Sequence, residues 1–444
     1  MDLLIRCRRV LTGDAFIPAS VRVRGGLIAG IEDPESAAGG AEVIVLPEPE
    51  VLIPGIVDTH VHVNEPGRTE WEGFATATRA AARGGVTTII DMPLNSIPAT
   101  TTPAALAIKR ERAAAKATVS VGFWGGAVPQ NLGNLRSLQE AGVLGFKAFL
   151  APSGVPEFDH LNTGQLETAM TEIAELGSLL IVHAEDPEDL DRHADQGGRD
   201  YHRFVRSRPD SAELIAIRRV IDGVRRTGCR THILHLSSAL ALPMLREARA
   251  EGLPITVETC PHYLVFDAGQ IPDGATEFKC CPPIRDRANQ DALWAGLIDG
   301  TIDTVVTDHS PATIELKRAG DGDFALAWGG ISGLEVGFRA VWTEARERGI
   351  PLETVVDWMA TRTAALVGMA DRGAIAPGRR ADLVAIDPEA AFTVDVDRLG
   401  HRNRISAYDQ RTLRGRISRV WLAGADITET PGQGSLLPDR KDTA

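Results

Sequence analysis

The sequence predicts an α/β protein: a (β/α)8 TIM-like barrel with a small β-sandwich domain formed by the N- and C-terminal segments. Short apolar runs alternate with helix-like stretches through the middle of the chain, and metal-competent side chains stand at the C-terminal ends of several of those runs. Both chain ends instead alternate apolar and polar residues between glycine-rich turns.

The first segment reads as short strands, "DLLIRCRRVLT", "SVRVRGGLIAGI" and "AEVIVL", whose period-two alternation between glycines fits antiparallel pairing. Then come the apolar runs "VLIPGIVDTHVHV" (51–63), "GVTTIIDMP" (85–93), "TVSVGFWGG" (118–126) and "VLGFKAFLA" (143–151). "SLLIVHAED" (178–186), "RTHILHLSS" (230–238), "PITVETCPH" (254–262) and "DTVVTDHSP" (303–311) complete the set of eight. Helix-like stretches such as "EWEGFATATRAAARGG", "ALAIKRERAAAKA", "SAELIAIRRVIDGVRRTG" and "ALWAGLIDG" lie between them. Alternating β and α units make a mostly parallel sheet buried on both faces. Eight units over about 310 residues close it into a barrel enlarged by insertions. The last strands, "GAIAPGRRADLVAID", "FTVD" and "RISRVWLAGADI", return to the small-sheet pattern. Residues 52–368 are therefore expected to form the barrel, 1–51 with 369–430 a composite antiparallel sandwich, and 431–444 a flexible tail poor in core-forming residues.

Bulk composition excludes several roles. With 43% hydrophobic and 24% charged residues the chain is of ordinary globular type, and a net charge of −13 disfavours binding to nucleic acid or an acidic membrane. No run approaches the ~20 apolar residues of a membrane helix, and the start, with no long apolar core before a cleavage site, is not expected to be a secretory signal. Five cysteines with no CxxC pair make neither a disulfide framework nor a zinc knuckle, so a cytoplasmic protein with reduced thiols is expected.

The rim carries the chemistry. His60 and His62 end the first barrel run, Lys147 lies in the fourth, His183 in the fifth, His235 in the sixth and Asp308 in the eighth. Side chains two apart on a strand share a face, roughly 7 Å apart, a spacing that suits chelation of one ion. Taken alone, a strand-end histidine is more often a hydrogen-bonded rim residue than a ligand, and Asp308 in "VVTDHSP" serves equally as a turn cap. Six such groups at the open end of one barrel are a different matter, because that rim is where barrels of this type place their sites. Among the rest, His232 has the opposite strand parity to His235 and is expected to face the helices. Cys260, Cys280 and Cys281 are expected to pack as small apolar groups, His309 to point away from the rim, and His262 is undecided between pocket and core.

Lys147, inside "GFKAFL", sits where a charge is costly. Either its stem snorkels to the rim, or its neutral amine adds carbon dioxide. The resulting carbamate turns a cation into an anion with two oxygens, able to bridge two divalent ions.

These residues resemble the cyclic amidohydrolases: dihydroorotase, hydantoinase, dihydropyrimidinase and allantoinase. The motifs that carry the resemblance are "DTHVH", "GFKAF", "VHAED", "LHLSS", "ETCPHYL", "TDHSP" and "GRRADLVAID", and they span nearly the whole chain. The resemblance implies a carboxylated Lys147 bridging two divalent metals, usually zinc, although the donor set also accepts manganese, cobalt or nickel. One metal would take His60, His62, Lys147 and Asp308; the other Lys147, His183 and His235. "NEPGRTEWEGF", "DMPLNSIPATT", "KCCPPIRD" and "WGGISGLE" look most like the allantoinase branch. Asn64 stands where dihydroorotase has an arginine for its substrate carboxylate, so a neutral ring substrate is implied. Asn64, Asn95, Cys281 and Ser332 are the implied substrate contacts.

The expected reaction is hydrolysis of the hydantoin ring of allantoin to allantoate in purine breakdown. A hydroxide shared by the two metals attacks, and Asp308 carries the proton to the leaving nitrogen. Alternatives are a hydantoinase, a dihydropyrimidinase or a dihydroorotase-like enzyme, and, more distantly, a non-catalytic scaffold of the same fold. The resemblance also implies a homo-oligomer, commonly a tetramer, acting on a small molecule.

Overall fold

A computed structural model of the chain describes residues 2–194, 197–428, 432 and 434–437. Five strands come first: β1 (Asp2–Thr12), β2 (Ala15–Arg24), β3 (Leu27–Glu32), β4 (Glu42–Val45) and β5 (Val51–Pro54). The central series is β6 (Ile56–Val61), β7 (Val86–Asp91), β8 (Ser120–Phe123), β9 (Gly125–Gly126), β10 (Phe146–Phe149), β11 (Leu179–His183), β12 (Arg230–Ile233), β13 (Ile255–Thr259) and β14 (Thr304–Val305). β15 (Leu383–Thr393), β16 (Thr412–Leu422) and β17 (Ala425–Asp426) return to the first group, giving the order β17-β16-β15-β5-β1-β2-β3 with β4 also on β1.

This terminal sheet is mixed, not purely antiparallel as expected. β1 runs parallel to β4 along Leu3–Arg6 and parallel to β5 at Val10, with a register irregularity between Cys7 and Val10. Both parallel partners are reached by crossing connections, which hairpin logic does not anticipate, and the irregularity lets the two halves of β1 serve different neighbours. Leu3, Ile5, Val21, Val23, Leu52, Leu383 and Trp421 fill the core of this sheet.

The central strands form two parallel ladders, β6-β7-β8 and β9-β10-β11-β12-β13-β14. Two seams join them. Leu144 N donates to Phe123 O at 3.0 Å and Gly125 N to Gly145 O at 2.9 Å, carrying β8 into β9 and β10. On the other side His62 N donates to His309 O at 2.9 Å, and Thr307 Oγ1 donates to Asp58 Oδ2 at 2.5 Å. The helix-like stretches appear as Phe74–Arg83, Pro103–Ala114, Asp210–Thr227 and Arg287–Ile298, outside the strands they connect. None of the helices among the described residues is long and apolar enough to cross a membrane.

The apolar run 51–63 does not form one barrel strand. It divides at Gly55: Val51–Pro54 pairs with β15 in the terminal sheet, and β6 starts the barrel. A Cβ at Gly55 would lie 2.1 Å from Thr87 Oγ1, so only glycine lets the chain pass between the two sheets here.

The expected flexible tail falls mostly outside the described residues. Its described part is docked: Val121 N donates to Ser435 O at 3.0 Å and Leu437 N to Val121 O at 2.9 Å, and Leu437 is buried beside Ile90 and Leu144. Leu436 and Leu437 supply the apolar surface that the surrounding polar residues obscured.

Candidate active site

All six rim residues line one cavity of about 430 Å3 at the C-terminal ends of the barrel strands. His60 lies in β6 and His62 one residue beyond it; Lys147 lies in β10 and His183 ends β11. His235 and Asp308 follow β12 and β14 in left-handed backbone, with φ of +36° and +43°. Asn95, after β7, has φ +69°. Non-glycine residues avoid this region, and such conformations persist where surrounding structure enforces them, often at functional sites. A roomier groove of about 990 Å3 lies between the helices Leu135–Glu140 and Thr163–Glu175, but no histidine or cysteine lines it.

On one side of the cavity, His60, His62 and Asp308 bring their ligand atoms within 4.8 Å of one another. Asp308 Oδ1 is 3.1 Å from His60 Nε2 and 3.5 Å from His62 Nε2, and Ser310 Oγ donates to the same oxygen at 2.7 Å. On the other side, His183 Nδ1 faces His235 Nε2 at 2.9 Å. His183 Nε2 meets Glu185 Oε2 at 2.8 Å, which directs its other nitrogen toward His235. His235 Nδ1 is buried without a hydrogen-bond partner among the described residues.

Burial sets the charges. It pushes His62, His183 and His235 below the ordinary imidazole range, helped at each by neighbouring positive groups including Lys147. His60 alone goes up, to about 9, because Asp308 and Glu258 outweigh burial. Burial would raise the Asp308 carboxyl, but His60, His235 and His62 hold it well below the usual range. Lys147 is pulled down by burial to about 8, against the pull of Asp308 and Glu258. Three neutral imidazoles, the His60 ring, a carboxylate and a buried amine converging on one space form a donor set that fits divalent cations.

The second layer was not read from the sequence. Glu258, in β13, accepts from His60 Nδ1 at 2.5 Å, from His232 Nε2 at 3.0 Å and from His235 N at 3.2 Å. It thus fixes one ligand's ring and another's backbone. His232 faces this carboxylate, not the helices as strand parity predicted. β12 ends at Ile233 and the chain turns at His235, so alternation cannot be counted across that break. Glu185 holds His183 and is gripped by Arg208 through two guanidinium nitrogens, Nε and Nη2. Asp58 ties β6 to Thr307 and to His60 N, and Asp91 accepts from Lys109 and Val63 N. A charged residue inside an apolar strand, the signal that exposed Lys147, was also present at Glu258, Asp58 and Asp91.

Of the expected substrate contacts, Asn95 and Cys281 line the cavity, while Asn64 and Ser332 are not among its lining residues. Asn64 is fully buried and donates to Pro311 O at 3.3 Å; Ser332 accepts from Ser406 Oγ through its carbonyl at 2.5 Å. Both brace loops behind the cavity wall. Cys260 and Cys280 are buried, and Cys281 is partly exposed on the wall. His309 turns away as expected, its Nδ1 accepting from Gly333 N at 3.1 Å. His262 is buried outside the lining, though its ring joins Cys260 and Asp308 in a second cluster within 4.8 Å.

Parallel barrel, rim histidines and buried lysine together describe a metal-dependent hydrolase, and the sequence matches the amidohydrolase family over residues 51–425; the chain belongs to that family. It is 55% identical to the allantoinase of Streptomyces avermitilis over 98% of each chain. It is 42% identical to the allantoinase of Arabidopsis thaliana, over 95% of this chain and 87% of that one. Among solved structures it is similar to the L-hydantoinase (dihydropyrimidinase) of Arthrobacter aurescens, with a TM-score of 0.91, 29% identity, and coverage of 99% and 98%. The dihydropyrimidinase of Brevibacillus agri follows at 0.90, 31% identical over 98% of both chains.

Proposed function

We infer that the chain is an allantoinase, opening the hydantoin ring of allantoin by hydrolysis to give allantoate. The observation that carries the substrate is 55% identity along 98% of both chains with a protein named for that activity. The geometry carries the chemistry. His60, His62 and Asp308 would hold one divalent ion, His183 and His235 the other, with Lys147 between them as a carbamate. Such an ion pair, when bound, supplies a water that ionises near neutral pH and a Lewis acid for the ring carbonyl.

The chain's own residues do the remainder. Glu258 and Glu185 orient His60 and His183, so that their free nitrogens face the cavity. Asp308 holds its carboxylate ionised at the same place and accepts the proton of the attacking water, then returns it to the departing ring nitrogen. Asn95 and Cys281 border the space for the ring. The cationic groups on the wall other than Lys147 are already engaged: Arg208 by Glu185, and Lys279 by the carbonyls of Ala325 and Ala327. This supports a ring without a carboxylate, as allantoin is. Zinc, a cytoplasmic setting and a homotetramer belong to the same reading, supported by the donor set, the free cysteines and the habit of the family.

Substrate profiling tests it. Allantoin should exceed hydantoin, dihydrouracil and dihydroorotate in kcat/KM by about a hundredfold or more, a margin that polar complementarity supplies. The hydantoinase reading, favoured by the solved structures of similar fold, would replace it if hydantoin or dihydrouracil proved the better substrate. A metal-free, inactive protein with intact fold would point to the scaffold.

A further inference from the structure

A second cavity, of about 380 Å3, opens where the outer face of the barrel meets the terminal sheet, well apart in sequence from the rim residues. Arg83 ends the helix Phe74–Arg83, Arg339 lies in the helix Gly337–Glu347, Arg416 lies in β16 and Arg398 in the connection before it. Glu335 and Asp395 are the carboxylates of the lining. In a chain of net charge −13, four arginines around two acids run against the overall balance.

Arg339 is the decisive member. It is 8% exposed, and no carboxylate stands within ion-pair distance of it among the described residues. Its Nη2 donates to the backbone oxygen of Glu335 at 2.6 Å, its Nε has no partner, and its guanidinium lies over the ring of Phe392 at 4.4 Å. The Glu335 side chain is turned elsewhere, accepting from Gly400 N at 2.6 Å and lying 3.5 Å from Arg83. Asp395 caps Asp397 N at 3.0 Å. A buried charge without a counter-ion is costly, and proteins seldom retain one without a use for it. Burial accordingly pulls Arg339 down to about 10, with Glu335 only partly opposing. Stacking on Phe392 fixes the plane of the guanidinium, which suits it to grip an oxyanion through two nitrogens.

We propose that this cleft binds a compact anion of two or more negative charges, a phosphate or a small polycarboxylate, seated on Arg339 and enclosed by Arg83, Arg398 and Arg416. Arg83 lies 3.5 Å from Glu335 and Arg416 3.9 Å from Asp387. The charge number therefore follows from Arg339 and Arg398, which have no carboxylate in ion-pair distance among the described residues, and the small size from the volume.

Calorimetric titration of the metal-loaded enzyme with inorganic phosphate, against sodium chloride at matched ionic strength, tests this. Saturable binding at one site per subunit is expected, weakened by about tenfold or more in R398Q/R416Q. Both of those arginines are exposed, so the variant should fold and keep its hydrolytic activity without phosphate. R339M, which removes the buried charge, should abolish binding while raising the unfolding temperature. Citrate competing with phosphate would show the site to read charge and not phosphorus; failure to compete would restrict it to phosphate. Heat reproduced by chloride, absence of saturation, or phosphate binding unchanged in both variants, which would seat it at the metals, overturns the proposal.

Discussion

Lys147 is the residue on which the candidate site turns. At a pKa of about 8, roughly a quarter of its amines are neutral at pH 7.5, against about one in a thousand for an ordinary lysine. Burial thus prepares the form that reacts with carbon dioxide, and the proposed carbamate would remove the conflict of a cation among the proposed metal ligands. Lys147→Ala should lower bound metal from two ions per subunit to one or fewer and cut turnover by about three orders of magnitude, within the range expected for a removed catalytic group. Short-chain carboxylic acids should restore part of both, since a carboxylate can occupy the carbamate's place; full metal retention in the variant would exclude the bridge. Asp308 has a separate role in the proposed mechanism. Asp308→Asn keeps an oxygen donor but removes the base, so turnover should fall by about 10²–10⁴ while KM changes little. Metal content and KM measured together distinguish proton transfer from simple loss of a ligand. The positions missed from the sequence are instructive here: Glu258 is a carboxylate in an apolar strand, as anomalous as Lys147, yet its partner His60 lies 198 residues away, and only the closed sheet brings them together.

At the scale of elements, the joint between sheets depends on one missing side chain. Gly55 passes so close to Thr87 that an added Cβ would meet its Oγ1, Cγ2 and Cβ at 2.1, 2.5 and 2.8 Å. Thr87 is buried in β7 and cannot swing clear. Gly55→Ala should therefore destabilise by about 1–3 kcal/mol, the usual cost of overpacking, and Thr87→Ala in the same chain should recover part of the loss. Denaturant midpoints of both single variants and the double variant measure the coupling; additive effects would mean the contact is relieved some other way. The sequence disclosed eight β/α units because apolar runs and helices differ in period. It hid the division at Gly55 because both halves of that run are fully apolar. It hid the inward turn of His232 because parity is meaningful only while the strand lasts, and β12 ends two residues before His235. Likewise, Asn64 was legible as a departure from an arginine but not as a residue pointing at Pro311.

For the molecule as a whole, the buried ionisable groups make opposed contributions to acid stability, and their signs fix the profile. Asp58 and Asp91 are raised by burial to about 6 from 3.8. A carboxyl whose folded pKa lies above its unfolded value favours the fold more as pH falls, so these two add stability between about pH 6 and 4. Glu258 is lowered to about 2 from 4.5, burial being outweighed by His60 and His232, and Glu185 is lowered by Arg208 and His183 against burial. Groups depressed in this way contribute fully above the unfolded value and lose that contribution as pH falls below about 4.5. The buried histidines held below their ordinary range, His62, His183, His235, His262 and His401, outnumber the two aspartates and oppose them. With a slope of about 1.4 kcal/mol per pH unit for each proton taken up, the metal-free protein should therefore lose stability from about pH 6.5 downward and more steeply below about pH 4.5. Glu185→Gln replaces the ionisable group with a neutral one of the same shape. It should lower stability at pH 7, where Arg208 loses its partner, and flatten the decline below pH 4.5, because one proton less is taken up on unfolding's side of the balance. Urea midpoints measured from pH 7 to 3 on metal-stripped protein separate this from acid release of metal. A variant whose profile stays parallel to that of the parent throughout would mean that Glu185 is not held ionised by the fold. The Arg208–Glu185–His183 chain would then be no basis for the orientation of His183.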